Sequence, residues 1–512
     1  MDFWLILLTI IGGALCIYLF STRNYNYFKK LGIPHAKPRA FFGNMARIIF
    51  GKKTISEVLQ ETYELHTDAK YVGFYDFSSP IIVLRDPELV KLITIKNFDS
   101  FTDHKFFTVS TDEPLFSKNL FALKGDEWRD MRPLLSPAFT GSKMKMMFKI
   151  LSDCAIDFSD HLSKLNPQPE ALDMKDTFGR YTLDVIASAA FGLSVNSMEK
   201  RDNDFYRMGK EVADFSGLGI ITFSIVRSCS WIANLLNLRL IRTKAADYFT
   251  NVIQSTIAIR DAQGIVRPDM IQLMMQARER KERSTLTPAD MAAQAFIFLL
   301  GGFDSPSSTM SFAAHAIAWH PDVQRKLQAE IDQVLENNSG EVSYEDLHAM
   351  KYLDAVVNEA LRLFPPGIFL DRVCVTDFIL PPSLPGLKPL KIKAGESVWI
   401  PMSSFHRDPK YFPEPEKFDP ERFNEDNKSK ISPMTYFPFG LGPRICIANR
   451  FALMEVKLVL FHLLAKCNLP PLQINHHLIL HSFYNTRVGK NSDNRVRPNS
   501  KKKNKNESIS DT

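Results

Sequence analysis

The chain has 512 residues, of which 45% are hydrophobic and 23% charged, and it carries 39 phenylalanines. Such a composition can bury a large apolar core, so whole-chain disorder and collagen-like or coiled-coil architectures are excluded. The 63 Lys and Arg against 57 Asp and Glu leave only +6, and the one dense basic run sits in the tail, so no nucleic-acid partner is expected.

Phe3 to Phe20 is apolar and free of charge. As a helix at ~1.5 Å per residue it spans ~27 Å, enough for a hydrocarbon core. The run is too long for a cleaved signal peptide, and only Asp2 is charged ahead of it. Residues 1–22 are therefore read as a transmembrane anchor. Arg23, Lys29, Lys30, Lys37 and Arg39 follow it, which by the positive-inside rule leaves the body in the cytoplasm. Gly32, Pro34 and Pro38 mark residues 23–40 as a short basic and proline-bearing linker.

Beyond the linker, strand-like segments concentrate at Tyr71 to Leu84 and at Leu390 to Ile400, each read as a hairpin. Nearly everything between them has helical spacing. A long helix runs from Thr287 through Met310 toward Trp319, with Thr287 as cap, Pro288 in the first turn and Asp290 three residues after the cap. His320-Pro321 ends it and opens the next helix, and a further amphipathic helix is predicted from Tyr344 to Phe364. The fold class is mainly α with a small β region (α+β), one large domain over residues 41–467.

The six cysteines, at 16, 154, 229, 374, 446 and 467, have no CxxC and no regular spacing, so neither a disulfide framework nor a zinc knuckle is suggested. Cys446 stands apart. It follows a loop bearing Gly440 and Gly442 and leads into a long apolar helix, where backbone amides favour thiolate and the glycines let the chain pass close to a flat ligand. It is a candidate metal ligand, although an inert buried cysteine would look the same in isolation.

Glu359 and Arg362 share a helix face at i and i+3, and Arg422 in FDPERF is a candidate third member of their network. Trp128 and Arg132, at i and i+4, can point an indole N–H and a guanidinium at one anionic group. In the long helix, Gly301 to Thr309 interrupts an apolar run with two glycines, Asp304, Ser305 and Pro306. The helix is predicted to open or kink there, leaving space for a small ligand beside an acid and a hydroxyl.

Taken together, these segments resemble the cytochrome P-450 family of haem-thiolate monooxygenases, in the family's order along the chain. FxxGxRxC fits Phe439, Gly442, Arg444 and Cys446; ExxR fits Glu359 and Arg362; PERF fits Pro420 to Phe423; WxxxR fits Trp128 and Arg132. The likeness runs from about Lys30 to about Cys467 and looks most like insect microsomal members related to vertebrate drug-metabolising ones. It implies haem b with Cys446 as the axial thiolate of its iron. Trp128, Arg132, Arg372 and Arg444 are implied as propionate contacts, with Phe439 part of the haem-binding pattern and Glu359, Arg362 and Arg422 structural. Asp304 and Ser305 occupy the family's acid-and-threonine positions and would deliver protons to dioxygen. Electrons would come from NADPH through a separate cytochrome reductase, with cytochrome b5 a further partner. The remaining implied partners are membrane lipid and an apolar small-molecule substrate, a xenobiotic or an endogenous lipid or hormone. The implied location is the endoplasmic reticulum membrane, catalytic part on the cytoplasmic face.

The sequence departs from the family pattern at Ser305, at Pro306 and at Ala448, where glycine is usual. After Cys467 no likeness to the family's closing hairpin is visible, so residues 468–512 are read as a divergent end, disordered from about 490. A haem-thiolate isomerase or dehydratase is a competing reading, against which the Asp304-Ser305 pair weighs. A haem-binding but inactive product is another, supported only by the divergent end. The substrate is not legible, because its pocket is set by variable segments that include Phe101 to Leu115 and Val212 to Ile225.

Overall fold

The uncharged run at the amino end forms one helix, α1 (Phe3–Thr22), none of whose side chains is buried and which is long and apolar enough to cross a membrane. The computed structural model describes residues 3–105, 113–165, 172–213, 218–228, 230–267, 269–279, 286–471, 493–494 and 497–498. The chain divides into two units: Met1–Phe107 with Gly367–Pro415 and Ser432–Ile445, and Thr108–Pro366 with Glu416–Ile431 and Cys446–Thr512. The segments expected to shape a substrate pocket fall partly outside the described residues.

In the first unit, residues 23–40, read from their prolines as a short stiff linker, send aromatic side chains into the packed body. Phe28 is wholly buried, Tyr25 Oη donates to the Arg39 carbonyl at 2.8 Å, and the Gly43 amide donates to Tyr25 Oη at 3.0 Å. Aromatic burial wins over the basic composition, so the packed body begins close after α1. Gly73 answers Phe28 directly, since a Cβ there would stand 2.4 Å from the ring.

Among the described residues, six strands belong to this unit: β1 (Tyr71–Asp76), β2 (Ser79–Leu84), β3 (Leu370–Val373), β4 (Phe378–Leu380), β5 (Leu390–Ile392) and β6 (Ser397–Ile400). The β1–β2 hairpin turns at Phe77, which takes φ 53. The hairpin predicted over Leu390 to Ile400 does not form. Instead, β5 pairs with β4, while β6 lies between β2, to which it is parallel, and β3. Every residue of β6 is buried, and β5 alternates buried and exposed. A central strand and a two-stranded flap have different demands, and the turn at Gly395 (φ 90) hands the chain from one to the other.

The second unit is mostly helical. Its framework is α2 (Gly125–Leu135), α3 (Gly141–Ser163), α4 (Met174–Ala189), α5 (Pro288–Trp319), α6 (Pro321–Asn337), α7 (Lys351–Leu363) and α8 (Asn449–Lys466), with α5 packed on α4 and α8, and α8 on α3. The Thr287 hydroxyl accepts the Asp290 amide and the Asp290 carboxylate accepts the Thr287 amide, closing the capping box that starts α5. Contrary to the predicted opening, α5 stays helical across Gly301–Thr309. Gly302 has a packing reason to be glycine: a Cβ there would stand 2.3 Å from Ile186 Cδ1 on α4.

The helix predicted over Tyr344 to Phe364 is two, Tyr344–Ala349 and α7, separated by extended Met350. The break is held by Glu330 of α6, whose carboxylate accepts the Tyr352 and Leu353 amides, each at 2.8 Å. A carboxylate distant in sequence thus caps α7. Past α8, Cys467–Asn468 pairs with Arg497–Pro498, and Leu172–Asp173 with Asp493–Asn494. Apart from Asp493, Asn494, Arg497 and Pro498, the stretch from 490 to 512, expected to be disordered, lies outside the described residues.

Candidate active site

The glycine-bearing loop ahead of Cys446 is built by positive φ angles, 83° at Gly440 and 70° at Gly442. A Cβ on Gly442 would meet the Thr94 carbonyl oxygen at 1.9 Å, so no other residue fits. Ala448 is the N-cap of α8. Burial pushes the Cys446 thiol above its ordinary pKa, opposed by the Ala448 amide, which bonds the sulfur, and by the charge of Arg132. Yet the Cys446 side chain retains exposed surface. A sulfur crowded by protein, approached by an amide and a guanidinium, and open on one side suits a cationic metal centre that accepts thiolate.

In the same unit, α2 carries Trp128, buried, and Arg132 one turn later, half-buried. Burial lowers the Arg132 pKa and Cys446 acts in the opposite sense. The other unit holds a second cationic pair. Arg444 Nε donates to the Thr102 carbonyl at 2.9 Å, with a terminal nitrogen 3.8 Å from Asp103. Arg372, on β3, is 1% exposed. Its terminal nitrogens donate to the carbonyls of Asp371 at 2.8 Å and Leu441 at 3.3 Å, and Nε has no partner.

The neighbouring Asp371 carboxylate bonds His104 Nδ1 at 2.8 Å and the Lys105 amide at 2.6 Å, and reaches Arg372 only through its charge. Burial pulls Arg372 down to about 10. A buried guanidinium bonded only to carbonyls is matched to an anion, so each unit by itself offers cationic donors suited to an acidic group: Trp128 and Arg132 in one, Arg372 and Arg444 in the other. Phe439, half-buried, immediately precedes Gly440.

On α5, Ser305 Oγ donates to the Gly301 carbonyl at 2.6 Å, and Thr309 Oγ1 to the Ser305 carbonyl at 2.9 Å. Asp304 does not point with Ser305 to a common partner. Its carboxylate receives Lys175 Nζ at 2.8 Å and its side chain is 63% exposed. No sequence signal marked Lys175, which lies 129 positions away.

Glu359, Arg362 and Arg422 come together. Arg362 Nε and a terminal nitrogen donate to the two Glu359 oxygens at 2.7 and 2.8 Å, and both side chains are wholly buried. The Asp419 amide adds a bond to Glu359 at 2.9 Å, Arg422 Nε lies 3.5 Å from it, and Arg362 reaches the Lys417 carbonyl at 3.1 Å. Burial pushes the Glu359 carboxyl up while Arg362 pulls it back. The PERF segment is thereby tied to α7.

A family model of cytochrome P450 matches residues 33–484, reaching past Cys467 into the segment where the sequence showed no likeness. The chain is similar to cytochrome P450 9e2 of Blattella germanica, 43% identical over 91% of this chain and 92% of that one. It is similar also to probable cytochrome P450 9f2 of Drosophila melanogaster, 41% identical over 90% and 92%, and to cytochrome P450 6j1 of Blattella germanica, 36% identical over 92% and 93%. The chain therefore belongs to the cytochrome P450 family, as a monooxygenase that carries haem b and uses dioxygen with electrons drawn from NADPH through a reductase.

Proposed function

We propose that this protein inserts one oxygen atom into apolar small molecules, xenobiotics or endogenous lipids or hormones, at the endoplasmic reticulum membrane. The catalytic part stands on the cytoplasmic face, anchored by α1 within residues 1–22, with the NADPH-dependent reductase and cytochrome b5 docking there. The apolar α1 and the basic residues that follow it support this placement.

Cys446 holds the haem iron, and the observation that carries the reading is its setting: a crowded thiol, open on one side, with the Ala448 amide and Arg132 drawn toward it. Trp128, Arg132, Arg372 and Arg444 hold the propionates. Phe439 and the close-packed Gly442 shape the loop that presents the sulfur. Haem bound in this way supplies the activation of dioxygen. Ser305, its hydroxyl back-bonded to Gly301, and Asp304, open to solvent, hand protons toward the oxygen side of α5. Glu359, Arg362 and Arg422 keep the α7 end rigid. One turnover consumes a substrate C–H bond, dioxygen, NADPH and a proton, and yields the alcohol, water and NADP+.

The test is Cys446→Ala. The reduced, carbon-monoxide-treated variant is expected to lose the red-shifted thiolate band that the parent and Cys467→Ala keep. A normal band in purified Cys446→Ala would refute the ligand assignment.

A further inference from the structure

Lys175, in the first turn of α4, presents one ammonium to four acceptors on α5. These are the Asp304 carbonyl at 3.0 Å, the Asp304 carboxylate at 2.8 Å, Ser307 Oγ at 2.8 Å and Ser308 Oγ at 2.7 Å. They flank Pro306, which has no N–H to return to the carbonyl of Gly302. An ordinary surface ion pair joins two flexible side chains and orders neither. Here one partner is backbone, and the lysine side chain is only 29% exposed.

The reach of Lys175 is set by the close approach of the two helices. Gly302 leaves room for Ile186, and Thr182 Oγ1 donates to the Phe303 carbonyl at 3.1 Å. The helix that brings the ammonium is therefore packed against α5 in the turn just ahead of the cluster. Within α5, Ser307 Oγ also returns to the Phe303 carbonyl at 2.7 Å. Side-chain groups thus add bonds to the Phe303 and Asp304 carbonyls in the turn where the proline interrupts the ladder.

We propose that Lys175 is a positioning residue for the reaction: it clamps the proline-interrupted turn and fixes the direction of the Asp304 carboxylate. This inference rests on the proton role given to Asp304 above. With the clamp removed, the Asp304 carboxylate loses its fixed direction and the proton needed to split the O–O bond arrives late. The consequence is readable without any organic substrate. With timely protons, dioxygen, two NADPH and two protons give two waters and two NADP+. With late protons, dioxygen, one NADPH and one proton give hydrogen peroxide and NADP+.

The experiment uses the full chain, haem-loaded and supplied with an NADPH-dependent reductase. It compares Lys175→Met, Lys175→Arg, Asp304→Asn, the Lys175→Met/Asp304→Asn double variant and Lys145→Met as a remote surface control. Lys175→Met is expected to lower the share of electrons reaching water at least about threefold, with Lys175→Arg close to the parent and the double variant no worse than Asp304→Asn. Amide hydrogen exchange over residues 301–310 is expected to quicken about tenfold in Lys175→Met and not in Lys145→Met. An unchanged electron share in Lys175→Met, even with faster exchange, overturns the inference, as does an additive double variant. If Asp304→Asn itself is silent, the proton role fails and this inference with it; if Asp304→Asn is impaired and Lys175→Met is not, only this inference fails.

Discussion

Glu359 and Asp304 are both carboxylates held by a cation in the same unit, and they sit at opposite ends of the burial scale. The Glu359 and Arg362 side chains are 0% exposed, joined by two short bonds and flanked by Arg422 and the Asp419 amide. The Asp304 side chain is 63% exposed and shares its lysine with a carbonyl and two hydroxyls. Away from water a charge without its partner is costly, so the first cluster cannot open without unfolding its surroundings. The exposed Asp304 carboxylate can exchange its ammonium for water at little cost, while the ammonium itself stays bonded to the carbonyl and the two hydroxyls. The first suits a structural tie and the second a group that must exchange protons.

The largest effect expected from this contrast is at Glu359. Glu359→Ala strands Arg362 in the core at a cost of about 3–5 kcal/mol, and is expected to fail to retain haem, with a lowered thermal midpoint. A haem-loaded variant as heat-resistant as the parent would place the pair with the exposed kind.

An intermediate case is Asp176, 20% exposed, paired with Arg180 at 2.9 Å and hydrogen-bonded by Tyr206. Burial opposes its ionisation, but the Tyr206 hydroxyl and Arg180 win and bring it from 3.8 to about 2. A depressed folded pKa stabilises the protein above the unfolded value, and that contribution disappears as pH falls from about 4 toward 2. Asp176→Asn is therefore expected to cost about 2 kcal/mol near neutrality. The difference from the parent should shrink as the melt is repeated below pH 4. A gap independent of pH would show that packing, not charge, accounts for the loss.

The smallest stability effect belongs to Asp304. Asp304→Asn is expected to move the thermal midpoint by less than about 1 °C while lowering the electron share that reaches water. A large loss of heat resistance would make the cluster structural and erase the contrast.

Local chemistry made several elements readable in advance. The capping box at Thr287 and Asp290, the stop at His320-Pro321 and the uncharged run of α1 each depend on neighbours within a few positions. The motif around Cys446 was readable for the same reason, since Gly442 and the helix start adjoin the thiol. Elements governed by distant partners were not. The expected hairpin at 390–400 came apart because β6 is claimed by β2 and β3, more than 300 and more than 20 residues earlier in the chain. The helix at 344–364 broke because Glu330 caps it from α6.

From the sequence alone come the family, the apolar N-terminal helix, the candidate iron ligand and the mainly helical class, because periodicity, composition and short motifs encode them in contiguous residues. Only the tertiary structure decided which charges are buried. It set Arg372 in the core with a bare Nε, drew Phe28 out of an apparent linker into the core, and brought Lys175 across 129 positions to Asp304. Burial and long-range pairing are properties of the packed chain, and the worth of a charge depends on the water left around it.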